Sequence, residues 1–232
     1  MLYELIRALL FRIDPEQVHH LTLRALAIAS SSPLTRALLR WAFAYTHPDL
    51  AVEAFGLRFS NPLGLAAGYD KMGSALQGLA CLGFGHIELG TVTPLPQTGK
   101  PRPRIFRLPE DQALINRMGF PNKGAGVLLQ RLRNRRAGDV IVGLNIGKGR
   151  NTPLEAAVED YIHLLEDFYS YVDYFVVNIT SPNTVGLRRL QARDYLDSLL
   201  SRINDARQDL SSTSPKHVPV LVKLAPDLTQ PE

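Results

Sequence analysis

Residues 140–180, VIVGLNIGKGRNTPLEAAVEDYIHLLEDFYSYVDYFVVNIT, decide the fold. The runs 140–146 and 174–180 are short, apolar and rich in β-branched residues, so they read as buried strands. Between them, residues 153–168 place Leu154, Val158, Tyr161, Leu165 and Phe168 on one helical stripe, with Thr152 and Glu155 spaced as a capping box. Strand, helix, strand is a βαβ unit, and repeated βαβ units build a parallel sheet.

The same beat extends both ways. Residues 61–67, 86–93 and 219–225 read as further strands, and 72–82, 123–136 and 193–210 as helices, the last with Leu196, Leu199, Leu200 and Ile203 inward. The connection 94–139 is long and rich in Pro and Gly, and loops of that length are usually functional. A doubly wound sheet and a (β/α)₈ barrel both fit this order. Polar residues just past the strand ends favour the barrel: Asp70, Lys71, Thr91, Thr93, Asn145, Lys148, Asn178, Ser181 and Lys223. In a barrel such ends converge on one mouth, where active sites sit. A barrel takes about 250 residues in eight units. Five units occupy residues 55–232 here, so the chain is expected to be truncated at its C-terminus.

Residues 1–50 read as a separate helical extension, ahead of a partial barrel domain at 51–232. Leu2, Leu5, Ile6, Leu9 and Leu10 form one apolar stripe. Asp14 then caps a new helix, with Pro15 in its first turn and Gln17 at the capping-box position, and Val18, Leu21, Ala25, Leu26 and Ala29 as its apolar face. Ser30–Pro33 breaks that helix and a third short one follows over 34–45. Glu4 and Arg7 interrupt the apolar run, and no small-residue cleavage site follows, so it is not read as a signal peptide. Two readings stay open: a helical cap packed on the main domain, or an amphipathic pair at a membrane surface.

Composition narrows the function classes. A chain that is 45% hydrophobic and 21% charged is neither disordered nor a disulfide scaffold. Cys81 is its only cysteine, so no internal disulfide forms, and the six histidines show no metal-ligand spacing. A net charge of +4, spread along the chain, gives no case for nucleic acid. The basic run 131–136 reads as a solvated helix face.

Several segments carry candidate chemistry. NPLGLAAGYDK (61–71) ends a strand in small residues that let a flat ligand approach the backbone, with Lys71 able to anchor an anion. A tight turn is the plain alternative. Asn116 in NRMGFPN (116–122) offers donor and acceptor groups to an amide-bearing ring, although a turn also suits Gly119 and Pro121. GLNIGK (143–148) is not a Walker loop. In VNITSPNT (177–184), Asn178 and Asn183 bracket Ser181. Ser181-Pro182 reads either as a helix start or as a hydroxyl for proton transfer over a polar floor; without a G-x-S-x-G elbow it is not an acyl-transfer serine. Lys223, between apolar neighbours in a strand reading as buried, could bind phosphate, form a Schiff base or stabilise an anionic cofactor.

Taken together, NPLGLAAGYDK (61–71), ELGTVTPLPQTGKPRPRIFRL (88–108), NRMGFPNKG (116–124), GLNIGK (143–148), VVNITSPNT (176–184) and PVLVKLAPDL (219–228) closely resemble the dihydroorotate dehydrogenase family. The resemblance implies a (β/α)₈ TIM barrel, about five of its eight units present, that binds FMN and oxidises dihydroorotate to orotate in pyrimidine biosynthesis. Ser181 and the helical extension resemble the quinone-linked class 2 members, which implies a membrane quinone as acceptor and a peripheral membrane surface within residues 1–45. Without an Arg/Ser-rich transit segment, the cytoplasmic face of a bacterial inner membrane is expected.

The resemblance also implies roles. Ser181 is the catalytic base for the C5 proton while the C6 hydride leaves to the flavin; as a weak base it needs a relay, through Thr91 or water. Lys71, Asn116, Arg117, Met118, Gly119, Phe120, Asn178 and Asn183 bind substrate. Ala67, Gly68, Tyr69, Asp70, Lys71, Thr91, Asn145, Asn178 and Lys223 bind FMN. The family's second Asn-Thr pair and its glycine-rich phosphate sites have no counterpart here. The alternative expectation is therefore an inactive fragment or a non-catalytic binding remnant of such a barrel.

Overall fold

In the computed structural model, residues 2–134, 140–181, 187–191 and 193–225 are described. Three helices lead: α1 (Leu2–Leu10), α2 (Pro15–Ala29) and α3 (Pro33–Phe43). A short antiparallel hairpin follows, β1 (Val52–Ala54) with β2 (Leu57–Phe59). The main body is β3 (Gly64–Leu65), α4 (Leu76–Ala80), β4 (His86–Val92), a second hairpin of β5 (Ile105–Leu108) and β6 (Ala113–Asn116), then α5 (Ala125–Arg133), β7 (Ile141–Ile146), α6 (Ala157–Phe168), β8 (Tyr174–Asn178), α7 (Arg193–Thr213) and β9 (Val220–Lys223). The sheet order is β3-β4-β7-β8-β9, and each neighbouring pair is parallel. Among the described residues this is the expected strand–helix succession, present as an open sheet of five strands with β3 and β9 at its edges.

The period-2 alternation of the strands sorts their side chains onto two faces. Ile87, Leu89, Val142, Leu144, Ile146, Phe175 and Val177 point to the helices and are wholly buried. They meet Leu79, Leu128, Tyr161, Leu164, Leu165, Phe168, Leu199 and Ile203 in one continuous core. The opposite face carries Glu88, Asn145, Tyr174, Val176, Asn178 and Leu221. At its base Phe59 of the first hairpin meets His86 edge-on at 5.3 Å, beside a cavity of about 310 Å³.

Several local expectations are corrected. The strand expected over 61–67 shrinks to Gly64–Leu65, because the chain then turns into the 66–71 loop. No capping box forms at Thr152: its hydroxyl and the Gly149 N–H both donate to Asp160 Oδ2 (2.7 and 2.8 Å), and α6 starts only at Ala157. The basic run 131–136 is not simply solvated, since Arg131 donates to the Met72 carbonyl at 2.8 Å; residues 135–136 lie outside the described residues. Lys223 is exposed rather than buried, because β9 is a sheet edge. The two hairpins are not among the sequence expectations; their strands span only three or four residues, too short for a period to stand out, and are largely exposed.

The helical extension is fastened to the α/β body by charge. Asp14 caps α2, its carboxylate accepting from the N–H groups of Glu16 and Gln17 at 3.0 Å. Glu16 is 4% exposed and takes a two-pronged grip from Arg104, Nε to Oε2 at 3.0 Å and Nη2 to Oε1, while Arg102 adds a bond of 3.0 Å. Arg104 is itself held by the carbonyls of Thr98 and Lys100. Part of the expected apolar face of α2 packs as read: Val18, Leu26 and Ala29 are half-buried, Leu26 against the core. Glu16, Leu23 and Ser30 face inward, whereas Leu21 and Ala25, expected on the apolar face, are exposed. In α1, Leu5, Ile6 and Leu9 are exposed, as are Leu34, Leu38 and Trp41 in α3. No described helix is long and apolar enough to cross a membrane.

Hydrogen bonding to Arg104, helped by Arg102 and opposed by burial, lowers the Glu16 pKa to about 2. Its folded pKa lies below the unfolded one, so its stabilisation is present above the ordinary carboxylate range and is lost as pH falls toward 2. Removing one partner of a buried pair strands the other and costs about 3–5 kcal/mol. Glu16→Gln should lower the melting temperature at pH 7 and expose residues 1–50 to protease. The difference from wild type should close as pH drops through that window, read by thermal melts across pH.

Candidate active site at the strand ends

The C-terminal ends of β3, β4, β7, β8 and β9 lie along one edge of the sheet. After β3 the backbone runs Ala66-Ala67-Gly68. Gly68 holds φ +110° and its N–H donates to the Gly90 carbonyl at 2.9 Å. A Cβ on Gly68 would meet nothing within 4 Å, so open space lies over this backbone. Gly90 is needed for the opposite reason: at φ +97°, a Cβ there would lie 2.2 Å from the Asn145 carbonyl oxygen.

Lys71 is half-buried beside these glycines, its Nζ donating to the Gly68 carbonyl at 2.7 Å. Burial lowers its pKa, and the Arg104 charge pushes the same way against Glu16 and Asp70. Asp70 is 1% exposed, and its carboxylate turns into the loop to accept from Ser74 N–H and hydroxyl and from Ala75 N–H. Tyr69 faces the extension: its hydroxyl lies 3.2 Å from the Thr22 hydroxyl, and its ring meets His19 edge-on at 5.1 Å. Burial, then the Lys71 charge, lower the His19 pKa.

Beneath the mouth, Thr91, Asn145 and Asn178 form a buried network. Thr91 Oγ1 donates to Asn145 Oδ1, and Asn178 Nδ2 donates to Thr91 Oγ1 (3.1 Å) and Asn145 Oδ1 (3.0 Å). The Thr91 proton is thus directed at Asn145, not at Ser181. Asn145 Nδ2 donates to Glu88 Oε1 at 2.8 Å. On the far side the N–H and hydroxyl of Thr180 donate to Asn178 Oδ1. Tyr161, wholly buried on α6, donates to the Asn178 carbonyl at 3.0 Å. Ser181 follows directly, partly buried, and Lys223 sits opposite Asn178 in the β8–β9 register. Lys148 is turned away, its Nζ on the carbonyls of Gly149 and Thr152.

Lys71, Thr91, Asn145, Asn178, Ser181 and Lys223 are therefore brought together. Asn116 and Arg117 stand apart on the second hairpin. Asn116 is exposed opposite Ile105, and the Arg117 guanidinium donates to the Pro103 carbonyl. Met118 lines a neighbouring cleft, and Gly119 accepts from Gln97. Phe120 holds φ +51° with its ring close to Gly147. Asn183 lies outside the described residues. Glu88, Tyr161, Glu16 and Arg104 were missed by sequence reasoning. The only signal for Glu88 and Arg104 was their place inside the segment 88–108.

The cleft, about 1130 Å³, opens between α2 and the loops flanking the second hairpin. His19, Leu23 and Ala27 form one wall, with Arg102, Arg104, Met118 and Lys71 opposite. Lys71 thus borders both the strand-end network and the cleft.

The family model for dihydroorotate dehydrogenase matches residues 49–232. A protein of Roseiflexus sp. (strain RS-1) is 53% identical over 228 residues, covering 98% of this chain and 62% of the relative. One from Burkholderia cenocepacia (strain HI2424) is 51% identical over 227 residues, covering 98% and 64%. Both carry the name dihydroorotate dehydrogenase (quinone). The crystal structure of ligand-free DHODH from Eimeria tenella superposes with a TM-score of 0.81 at 36% identity, over 94% of this chain and 63% of that one. The same enzyme in complex with ferulenol gives 0.78 at 35% identity, over 93% and 60%. The chain spans somewhat less than two thirds of the length of these relatives. With its matching segments gathered at the strand ends of a parallel α/β sheet, and a family model covering all but the helical extension, the chain belongs to the dihydroorotate dehydrogenase family.

Proposed function

We propose that the protein to which this chain belongs oxidises dihydroorotate to orotate with FMN and passes the electrons to a membrane quinone, in pyrimidine biosynthesis. One observation carries this reading: a half-buried lysine, Lys71, stands where a polar asparagine–threonine floor meets a cleft walled by the helical extension.

The residues fit a flat cofactor. The backbone over Gly68 is open where a side chain would fill the space, and Thr91 and Asn178 supply fixed polar groups beside it. Ala67, Gly68, Tyr69, Asp70, Lys71, Thr91, Asn178 and Lys223 would hold FMN, with Asn145 acting from beneath. Tyr69 and Asp70 would do so through the loop backbone, since their side chains are engaged elsewhere. FMN, when bound, supplies the hydride acceptor.

The chain's own groups do the rest. Lys71 pairs with the substrate carboxylate, and that anion offsets the burial that lowers the Lys71 pKa. Asn183 and the backbone of residues 117–120 would bind the amide edges of the pyrimidine over the floor made by Asn178, whose amide is engaged in the network, and Asn116 would join them by the second hairpin folding over the strand ends. Ser181 takes the C5 proton; because serine is a weak base, rate depends on how closely its turn is positioned. Lys223, beside Asn178, places positive charge where negative charge develops.

The cleft supports a quinone path: its apolar wall belongs to α2, and the helices on either side of α2 carry exposed Leu5, Ile6, Leu9, Leu34, Leu38 and Trp41. Such a surface suits a peripheral seat on a membrane, and in a bacterium the cytoplasmic face of the inner membrane.

Two experiments on the family-length protein test this. Ser181→Ala should retain FMN but slow its anaerobic reduction by dihydroorotate by about 10²–10⁴-fold; stopped-flow reduction at the wild-type rate would remove Ser181 as the base. Replacing Leu5, Leu9 and Trp41 with serine should reduce co-sedimentation with lipid vesicles and quinone turnover while sparing flavin reduction. Undiminished vesicle binding would count against the membrane seat.

A further inference from the structure

Hydrogen-bond direction is dictated at both ends of the network under the mouth. At one end the Thr180 N–H, which can only donate, points at Asn178 Oδ1 at 3.1 Å, joined by its own hydroxyl at 2.8 Å. Asn178 Oδ1 is therefore an acceptor, and its Nδ2 donates onward to Thr91 and Asn145. At the other end Glu88 accepts from Asn145 Nδ2, so the Asn145 oxygen is the atom turned to Thr91 and Asn178. An ionised carboxylate only accepts. Burial raises the Glu88 pKa, opposed by the Asn145 hydrogen bond and the Lys223 charge; in either protonation state Glu88 keeps a carboxyl oxygen that accepts from Asn145. Asn145 is 0% exposed, so its amide has no water to fall back on.

Glu88 itself sits on the inner face of β4, among Tyr174, Val176 and Leu221, and has no part in the mechanism above. We infer that Glu88 is a positioning residue for the serine turn: by accepting from Asn145 it holds the amide polarity that leaves Asn178 Oδ1 free to grip Thr180, and so sets Ser181, the next residue in the chain. The inference rests on the reading of Ser181 as the base. Without an acceptor at position 88 the buried Asn145 Nδ2 is left unpaired, and its amide shifts toward another partner. That shift pulls Asn145 Oδ1 away from the donors it holds, Thr91 and Asn178, and Asn178 loosens its hold on Thr180.

The test uses the family-length holoenzyme with three variants and Ser181→Ala as reference. Glu88→Met should retain FMN, with reoxidation by quinone near the wild-type rate. Its flavin reduction at saturating dihydroorotate should slow by about tenfold to a hundredfold, with the half-saturating concentration little changed. Glu88→Gln keeps a carbonyl oxygen for Asn145 and should recover most of the lost rate, which a purely charge-based role would not allow. Glu88→Leu, which removes the acceptor and leaves the flavin-side residues intact, should slow reduction like Glu88→Met and decides the matter if Glu88→Met yields no flavin-bound protein. Wild-type reduction in Glu88→Met or Glu88→Leu, or a Glu88→Gln as slow as Glu88→Met, overturns the inference. Wild-type reduction in Ser181→Ala instead overturns the reading on which it rests.

Discussion

One buried carboxylate, Glu16, gripped by Arg104 and Arg102, joins the two parts of this molecule. Asp14 starts α2 and so places Glu16 in its first turn; the pairing with Arg104 then sets which way the helix faces. His19 and Leu23 follow on the same side and become the wall of the cleft. Tyr69 closes the contact from the loop that carries Lys71. A change at this ion pair reaches the loop after β3 through a short series of packed groups. Buried pairs of this kind add little net stability over an apolar contact, yet strongly penalise the loss of one partner. The pair therefore governs how the extension is seated more than whether the α/β body folds.

The sheet provides a second constraint. Parallel strands end together, so groups far apart in sequence share one edge. Alternation then divides labour within each strand. In β7, Val142, Leu144 and Ile146 fill the helix-facing core, while Asn145 between them joins the polar network. In β8, Phe175 and Val177 do the former and Asn178 the latter. Rigid strand ends hold the asparagines, and the serine follows on a short turn gripped by one of them. Placing reactive groups on such supports reduces the reorganisation needed at the moment of reaction.

Much of this was legible in the sequence. The βαβ beat of residues 140–180 predicts a parallel sheet because helical and extended periodicities differ and each run is short and apolar. The quoted motifs predict which side chains collect at the strand ends, since βα connections start there. Local chemistry was readable too, as at Asp14, whose carboxylate caps α2 as its spacing with Pro15 requires. Where a local signal competed with a distant partner, the partner won. Thr152 gives its hydroxyl to Asp160 rather than to a capping box, and on α2 Glu16 is buried while Leu21 and Ala25 of the expected apolar face are exposed.

What the sequence by itself determined is therefore the order and type of the main elements, the family, and part of the polar set at the strand ends: Lys71, Thr91, Asn145, Asn178, Ser181 and Lys223 gather there, whereas Asp70, Thr93 and Lys148 turn to loop partners. Only the tertiary structure decided how those residues connect: the direction of the Glu88–Asn145–Asn178–Thr180 chain, the engagement of Tyr69 and Asp70 away from the mouth, the exposure of Lys223 at a sheet edge, and the cleft between α2 and the hairpin loops. The physical reason is range. Periodicity and capping act over a few neighbouring residues, whereas a buried hydrogen bond or ion pair is settled by whichever group, 57 residues away for Glu88 and Asn145 or 88 for Glu16 and Arg104, the fold carries into reach.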